Sequence, residues 1–494
     1  MKRGLLIAFA LALVAAAPAR AGGPSMVLGV TDDQVRSRSY VETKATMALA
    51  QLVGFRAVRV SALWTPPLTE PIDPEMGVLY NVARAGRLTG MRVFLAVYNP
   101  GSRTTPLTDD DRSQFATYAA TIAGRIPYVR DITIGNEPNL NGSWLPQFNP
   151  DGSDAAAPAY FQLLAQTYDS LKAVSPKIRV IGGALAPRGA DNPDPNVRQT
   201  HSPTQFIRDL GAAYRESGRT VPIMDAFDIH PYQDNSTQAP STKHGGSKTI
   251  TIADYDKLVR LLGEAFDGTA QPGSTLPIYY QEYGVETLVP AAKARLYEGT
   301  EPATTRPVPE ATQAAYYRQA LQLAFCQPNV QGFFVFHLFD ETNLNRWQSG
   351  LYYADKTPKT ILKRMRGVLA ASRRGIIARC PGLQLKVRAS AAFGPRSQLG
   401  RRSPITFKLR CDIDCRYEAR VQRFPGRASP LVVRGRAVGG LVTRVRFPAR
   451  RLSSGRYRVT VTLSAAVNTG PSKTLASAPF RVGKGRAASG TTVR

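Results

Sequence analysis

Two glutamates stand out by where they fall. Ile132-Thr133-Ile134 runs into Gly135-Asn136-Glu137-Pro138-Asn139, and Ile278-Tyr279-Tyr280 runs into Gln281-Glu282-Tyr283-Gly284. Each carboxylate closes an apolar, strand-forming run. A charge at the end of a buried strand is costly unless it is paired, so it marks either a working group or a structural ion pair. Two carboxylates that converge on one substrate are what glycoside hydrolysis needs. One protonates the leaving oxygen while the other meets the oxocarbenium-like carbon, and a separation near 5–5.5 Å gives a covalent intermediate with retention of configuration. Glu286 and Glu341 lie near the same strand ends. They are expected on the rim, with Glu286 the next candidate should Glu282 fail.

The elements that must carry these groups follow from the hydrophobic pattern. Short apolar runs occur at Met26–Val30, Ala57–Trp64, Arg92–Tyr98, Asp131–Asn136, Arg179–Leu185, Met224–His230, Leu276–Tyr283 and Gly332–Leu338. Amphipathic stretches such as Val41–Leu52, Phe115–Ile126, Tyr160–Val174 and Ala311–Phe325 lie between them. Strands alternating with helices pair in parallel, because each crossover consumes a dozen or more residues. Eight such units close most economically as a (β/α)8 TIM barrel. An open doubly wound sheet is the alternative, but no Gly-rich phosphate loop follows the first strand. In a barrel, catalytic groups sit at the C-terminal strand ends, and strands four and seven face each other across the mouth.

On these residues the chain resembles the large superfamily of retaining glycosidases with glutamates on strands four and seven, which includes the cellulase-like and β-xylosidase-like families. The resemblance covers about residues 26–380 and rests on Asn136-Glu137-Pro138 together with Glu282. It implies that Glu137 is the general acid/base and Glu282 the nucleophile. By the same resemblance Asn136 bonds the sugar 2-hydroxyl, and Arg59, within Val58-Arg59-Val60, supports the nucleophile. His230-Pro231-Tyr232 matches the family's His-x-Tyr pattern, with Tyr232 near the nucleophile. Strand eight departs from the pattern: where the superfamily commonly has a Trp beneath the reacting sugar, this chain has Phe336 and His337. Read without the resemblance, Arg59 is equally an ordinary barrel ion-pair residue and His230 an ordinary core histidine. The implied reaction needs neither metal nor cofactor.

The chain has only three tryptophans, and Trp64, Trp144 and Trp347 all fall at or just beyond strand ends. Sugar rings present apolar C–H faces that pack on flat aromatics, so these are candidate substrate platforms, with loop packing the alternative. Trp347 is the strongest, because Arg346-Trp347-Gln348-Ser349-Gly350-Leu351 is similar to the aromatic loop after strand eight in those enzymes. Long loops at about 140–158, 188–203, 233–249 and 286–310 are expected to wall a cleft.

After Pro381 the texture changes. Ile405-Thr406-Phe407-Lys408-Leu409 and Tyr457-Arg458-Val459-Thr460-Val461-Thr462-Leu463 alternate apolar with polar, the signature of half-buried antiparallel strands. A small all-β, immunoglobulin-like sandwich is expected over 384–483, following a barrel over 22–380, with a disordered Gly/Ser/Lys-rich tail over 484–494. The formal net charge of +28 divides unevenly between these parts. Residues 381–494 hold 24 basic and 3 acidic residues, or +21, which leaves +7 for the rest. Alternation places these arginines on one face, a surface suited to an anionic cell-surface polymer or acidic polysaccharide.

The N-terminus predicts the compartment. Lys2 and Arg3 precede an apolar run from Gly4 to Ala17, and Ala19-Arg20-Ala21 is a small-x-small cleavage pattern. This reads as a signal peptide over 1–21 rather than a membrane anchor, the run being too short to span. An exported protein meets little nucleic acid, so none is expected as a partner. Export also makes the four cysteines readable as disulfides. If Cys326 pairs with Cys380 it closes a loop of about 55 residues, worth ~4 kcal/mol, and Cys411 with Cys415 could form a short local bridge; free structural thiols are the alternative. Two function classes follow: a secreted retaining glycosidase acting on a poly- or oligosaccharide, or a non-catalytic barrel that binds carbohydrate or the cell surface.

Overall fold

The structure is a computed structural model. It describes residues 23–483 apart from 378–379, 381–385, 395–397, 402, 427, 430, 449–451 and 467–470. The expected signal peptide and the expected tail therefore lie outside the described residues.

Eight parallel strands close into a barrel in chain order. They are β1 (Val27–Thr31), β2 (Ala57–Leu63), β3 (Arg92–Tyr98), β4 (Asp131–Ile134), β5 (Arg179–Leu185), β6 (Ala226–Ile229), β7 (Ile278–Tyr283) and β8 (Val330–Phe336). The helices between them are α1 (Tyr40–Val53), α2 (Asp73–Thr89), α3 (Asp109–Arg125), α4 (Ala156–Val174), α5 (Pro203–Glu216), α6 (Tyr255–Phe266), α7 (Glu310–Cys326) and α8 (Ile361–Arg374). Local chemistry sets their limits. Ser39 caps α1 by accepting from the Glu42 amide, and Thr108 with Asp111 forms a reciprocal capping box on α3.

The strands are buried on both faces, which is why they read as unbroken apolar runs. Alternate residues point inward and pack across the barrel axis. Ala57, Phe94, Ile181, Ala226, Tyr279 and Phe334, from six different strands, form one buried cluster. Gly29 on β1 makes room for it, since a Cβ there would lie 2.3 Å from the Phe334 ring. The outward-facing residues join the helices' apolar sides in a larger core that includes Met47, Ala50, Val53, Leu79 and Phe115. Each large side chain so buried contributes about 1.5–3 kcal/mol.

Beyond α8 the chain forms two sheets. One has the order β10-β17-β15-β12-β13 with β16 beside β15, and the other the order β14-β11-β9. Their ranges are β9 (Ala389–Ala392), β10 (Gln398–Gly400), β11 (Thr406–Cys411), β12 (Cys415–Arg423), β13 (Leu431–Ala437), β14 (Val442–Arg446), β15 (Gly455–Ala465), β16 (Lys473–Ala476) and β17 (Phe480–Gly483). Phe407, Leu409 and Val445 of one sheet share a core with Val421, Val459, Val461 and Leu463 of the other. The fold is thus a TIM barrel followed by an all-β sandwich. Arg444 and Arg446 of β14 and Arg456 of β15 are exposed, as the alternation requires.

The sandwich is fastened to the barrel at the C-terminal ends of α7 and α8. Cys326 is bonded to Cys380, and Cys411 to Cys415. Arg374 donates from Nε and Nη2 to the Asp414 carboxylate at 3.0 and 2.9 Å. Phe325 of α7 packs in the sandwich core, so the linkage is hydrophobic as well as ionic.

Candidate active site

The carboxylate-bearing ends of β4 and β7 meet over the C-terminal mouth of the barrel. After β4 the chain turns sharply: Gly135 has φ +85°, and a Cβ there would meet the Tyr160 ring at 2.9 Å. Glu137 itself adopts φ +48°, a conformation that costs a non-glycine residue about 1–2 kcal/mol. The turn is held by the Glu137 amide donating to the Ala184 carbonyl at 2.8 Å and the Leu140 amide donating back to the Glu137 carbonyl at 2.9 Å. This strained turn projects the Glu137 side chain into the mouth, where it keeps 22% exposure. Glu282, still within β7, is 10% exposed at its side chain.

His230 joins them. Its Nδ1 lies 3.0 Å from Glu137 Oε1 and 3.5 Å from Glu282 Oε2. One oxygen of each carboxylate and a ring nitrogen of His230 all lie within 4.8 Å of one another. Nε2 on the far side is 3.6 Å from Asp228, a fully buried carboxylate on β6. Burial works against a charged imidazole here, but Glu282, Asp228 and Glu137 outweigh it and push the His230 pKa up to about 10. The imidazolium therefore lies between two carboxylates that would otherwise repel each other.

The two glutamates are not equivalent. Glu282 accepts from Arg59 Nη1 at 2.7 Å and from the Tyr232 hydroxyl at 3.0 Å. Burial works against the Arg59 charge, but Glu282 together with Asp228 and Tyr98 outweighs it and raises the pKa, so Arg59 keeps its charge. The Tyr232 phenol is held well above its ordinary pKa by burial and then by Glu282, so it remains a donor. Among the described residues Glu137 has the single side-chain partner His230, and it keeps a solvent-facing edge. Arg59 Nη2 also donates to Asn136 Oδ1 at 3.0 Å, which fixes the oxygen side of the Asn136 amide on Arg59. Glu282 is thus held by two fixed donors, whereas Glu137 keeps a freer, partly solvent-facing carboxylate.

The aromatic residues divide. Trp347 is half-buried beside the pair, its ring centroid 4.8 Å from Tyr232 and 5.3 Å from the Phe336 ring. Phe336 is half-buried, with the His337 ring 3.7 Å from it. These rings form an apolar cluster around Tyr232, the residue that donates to Glu282. Trp64 and Trp144, expected as sugar platforms, are buried instead. Trp64 packs edge-on against Phe115 of α3 with its Nε1 donating to the Leu68 carbonyl, and Trp144 packs edge-on against Tyr160 of α4. Each finds enough helix surface behind its loop to be enclosed, so neither offers a face to a ligand.

Glu286 lies apart from the cluster, in the loop after β7. It is 7% exposed and accepts from the Gln348 amide at 3.3 Å, beneath the loop that carries Trp347. The same loop is held by Lys359, which is buried and bonds Asp340, Thr287 and the Gln348 carbonyl. Two groups escaped the sequence reading. Asp228 stands two residues before His230 in a β6 run, so alternation places both on one face, and that spacing was the available signal. Asp32, just after β1, accepts from the Leu338 and Phe339 amides and fixes the end of β8; nothing in its local sequence indicated this.

No protein-family model and no curated protein matches the sequence. Among solved structures, the chain is similar to a GH5_18 protein of Streptomyces cattleya in complex with GlcNAc, with 18% identity over 76% of this chain and 84% of that one, at a TM-score of 0.48. It is also similar to a monomeric β-xylosidase of Caulobacter crescentus, with 16% identity over 90% and 97% and a TM-score of 0.43. A third similarity is to a Bacteroides uniformis β-glucuronidase, with 13% identity, 93% of this chain covered and a TM-score of 0.45. The chain spans 46% of the length of that β-glucuronidase.

Proposed function

We propose that the protein is an exported glycoside hydrolase that cleaves O-glycosidic bonds of an oligo- or polysaccharide with retention, through a covalent glycosyl-enzyme intermediate. The observation that carries this is the Glu137–His230–Glu282 cluster, in which one oxygen of each carboxylate lies within 4.8 Å of the other. A close approach of this kind supports direct attack by a carboxylate, as in retaining sites with carboxyl groups about 5–5.5 Å apart, over an inverting arrangement, in which they stand about 6.5–9.5 Å apart.

In this reading Glu282, charged and held by Arg59 and Tyr232, attacks the anomeric carbon while Glu137 protonates the departing oxygen. Water, deprotonated by Glu137, then releases the sugar. Asn136 donates to the sugar hydroxyl next to the reacting carbon, and Phe336 and Trp347 pack against the ring face. Export is supported by the N-terminal sequence pattern and by two disulfides, which persist in oxidising compartments. The non-catalytic binding reading is disfavoured by the ion-paired and asymmetric carboxylates, an arrangement that simple sugar binding does not require.

The test is Glu282→Ala on an aryl glycoside panel. Activity should fall by several orders of magnitude, and added azide should restore turnover with a glycosyl azide of inverted anomeric configuration. A Glu282→Ala enzyme with near wild-type rate would remove this assignment.

A further inference from the structure

The opposite end of the barrel carries a second concentration of charge. Arg92, Asp131 and Arg179 are the first residues of β3, β4 and β5, and Arg130 and Lys177 lie just before β4 and β5. With Tyr128 and Val93 they line a cavity of about 360 Å³ at the barrel foot. The buried Asp131 carboxylate accepts from Arg92 Nε and Nη2, both at 2.5 Å, and from Arg179 Nη1 at 3.0 Å. The Arg92 guanidinium stacks on the Phe94 ring at 4.8 Å, and Arg179 donates to the Tyr279 hydroxyl at 2.6 Å. Both guanidiniums are therefore held in place, and one carboxylate serves the two of them.

Beyond these bonds both guanidiniums stay partly open, at 38% and 33% side-chain exposure for Arg92 and Arg179. Arg130 and Lys177 are exposed and form no ion pair among the described residues. Four cations against one acid leave this cavity a surplus of three positive charges. An adjoining cavity of about 320 Å³ shares Arg92 and adds Arg56 and Arg373. Burial, and then the like charge of the neighbouring Arg56, hold the Arg373 pKa down.

We propose that the foot cavity is a binding site for a phosphate group, seated on Arg92 and Arg179 and closed over by Arg130 and Lys177. Fixed guanidinium forks match phosphate oxygens and lose little freedom on binding. A phosphate monoester carries close to two negative charges, which answers this surplus better than one carboxylate does. Inorganic phosphate, a sugar phosphate and a phosphate polymer share that chemistry. The site lies at the far end of the barrel from the carboxylate pair and stands independently of the glycosidase reading.

Calorimetric titration of the full chain tests it, with inorganic phosphate, glucose 6-phosphate and a polyphosphate chain as probes against sodium chloride at matched ionic strength. Saturable binding is expected for at least one probe, and the tightest identifies the source of the group. The double variant Arg130→Ala/Lys177→Ala should bind at least about tenfold more weakly, as loss of charge-assisted hydrogen bonds implies. Both side chains are exposed, so its unfolding temperature without ligand should match wild type. Arg444→Ala/Arg446→Ala in the sandwich should bind as wild type does. The proposal is overturned if chloride reproduces the heat, if the foot variant binds like wild type, or if binding disappears with the sandwich variant instead.

Discussion

Replacing Glu286 by Gln separates a buried acid from the Glu137–Glu282 pair and gives a measurable number. Burial, with further contributions from Glu301, Asp340 and Glu341, pushes the Glu286 pKa from 4.5 to about 8 in the folded protein, although the Gln348 amide works the other way. In the unfolded chain the group titrates near its ordinary value. Between those two values the folded state holds a proton that the unfolded state has released, so stability falls as pH rises. At about 1.36 kcal/mol per pH unit, the full interval gives a ceiling of about 5 kcal/mol. Local relaxation and water entry reduce that, and about 2–4 kcal/mol is expected. Glutamine keeps an oxygen that can accept from the Gln348 amide but never ionises. Urea unfolding of wild type and Glu286→Gln from pH 4 to pH 9 reads the difference, and comparing the two removes the other titrating groups they share. The variant should gain stability over wild type progressively from about pH 5 to pH 8 and level off above. Equal pH slopes would show that Glu286 ionises freely in the fold. If the variant also lost its glycosidase activity as completely as Glu282→Ala, Glu286 would replace Glu282 as the working carboxylate.

Glu137→Ala should slow release of poor leaving groups by about 10²–10⁴-fold while sparing the first step for activated aryl glycosides, because only the former need a proton; equal loss of the glycosylation rate on both substrates would contradict the acid role. A chain ending just beyond Cys380 should retain its rate on a small soluble glycoside, since no residue of the carboxylate cluster comes from the sandwich. It should unfold at lower temperature, because the Arg374–Asp414 pair is lost and Phe325 is uncovered; collapse of small-substrate activity in a folded truncated barrel would show that the sandwich shapes the mouth. The same truncation should abolish salt-sensitive retention on an anionic polymer if the exposed arginines of β14 and β15 form the attachment face, and retention that survives would place attachment on the barrel.

Much of the architecture was legible because it is written in local pattern. Unbroken apolar runs at regular spacing indicate strands buried on both faces, and helical stretches between them leave parallel closure as the simplest way to cover both faces. Strict alternation after Pro381 indicates strands with one wet face, and the sandwich follows. Glu137 and Glu282 were visible for the same reason: a charge that ends an apolar run is conspicuous in one dimension. What the pattern does not contain is which side chains touch once the barrel closes. Arg59 and Glu282 are 223 residues apart, and their 2.7 Å bond exists because the barrel closes β2 and β7 round a common mouth. The position of His230 between the carboxylates, the burial of Trp64 and Trp144 against α3 and α4, and the half-buried setting of Trp347 depend in the same way on packing. So does the foot cavity, where three strand starts bring four cations round one aspartate. A residue's type and its neighbours in sequence set its periodicity and its cost of burial. Its partners are chosen by chain closure, which only the tertiary structure decides.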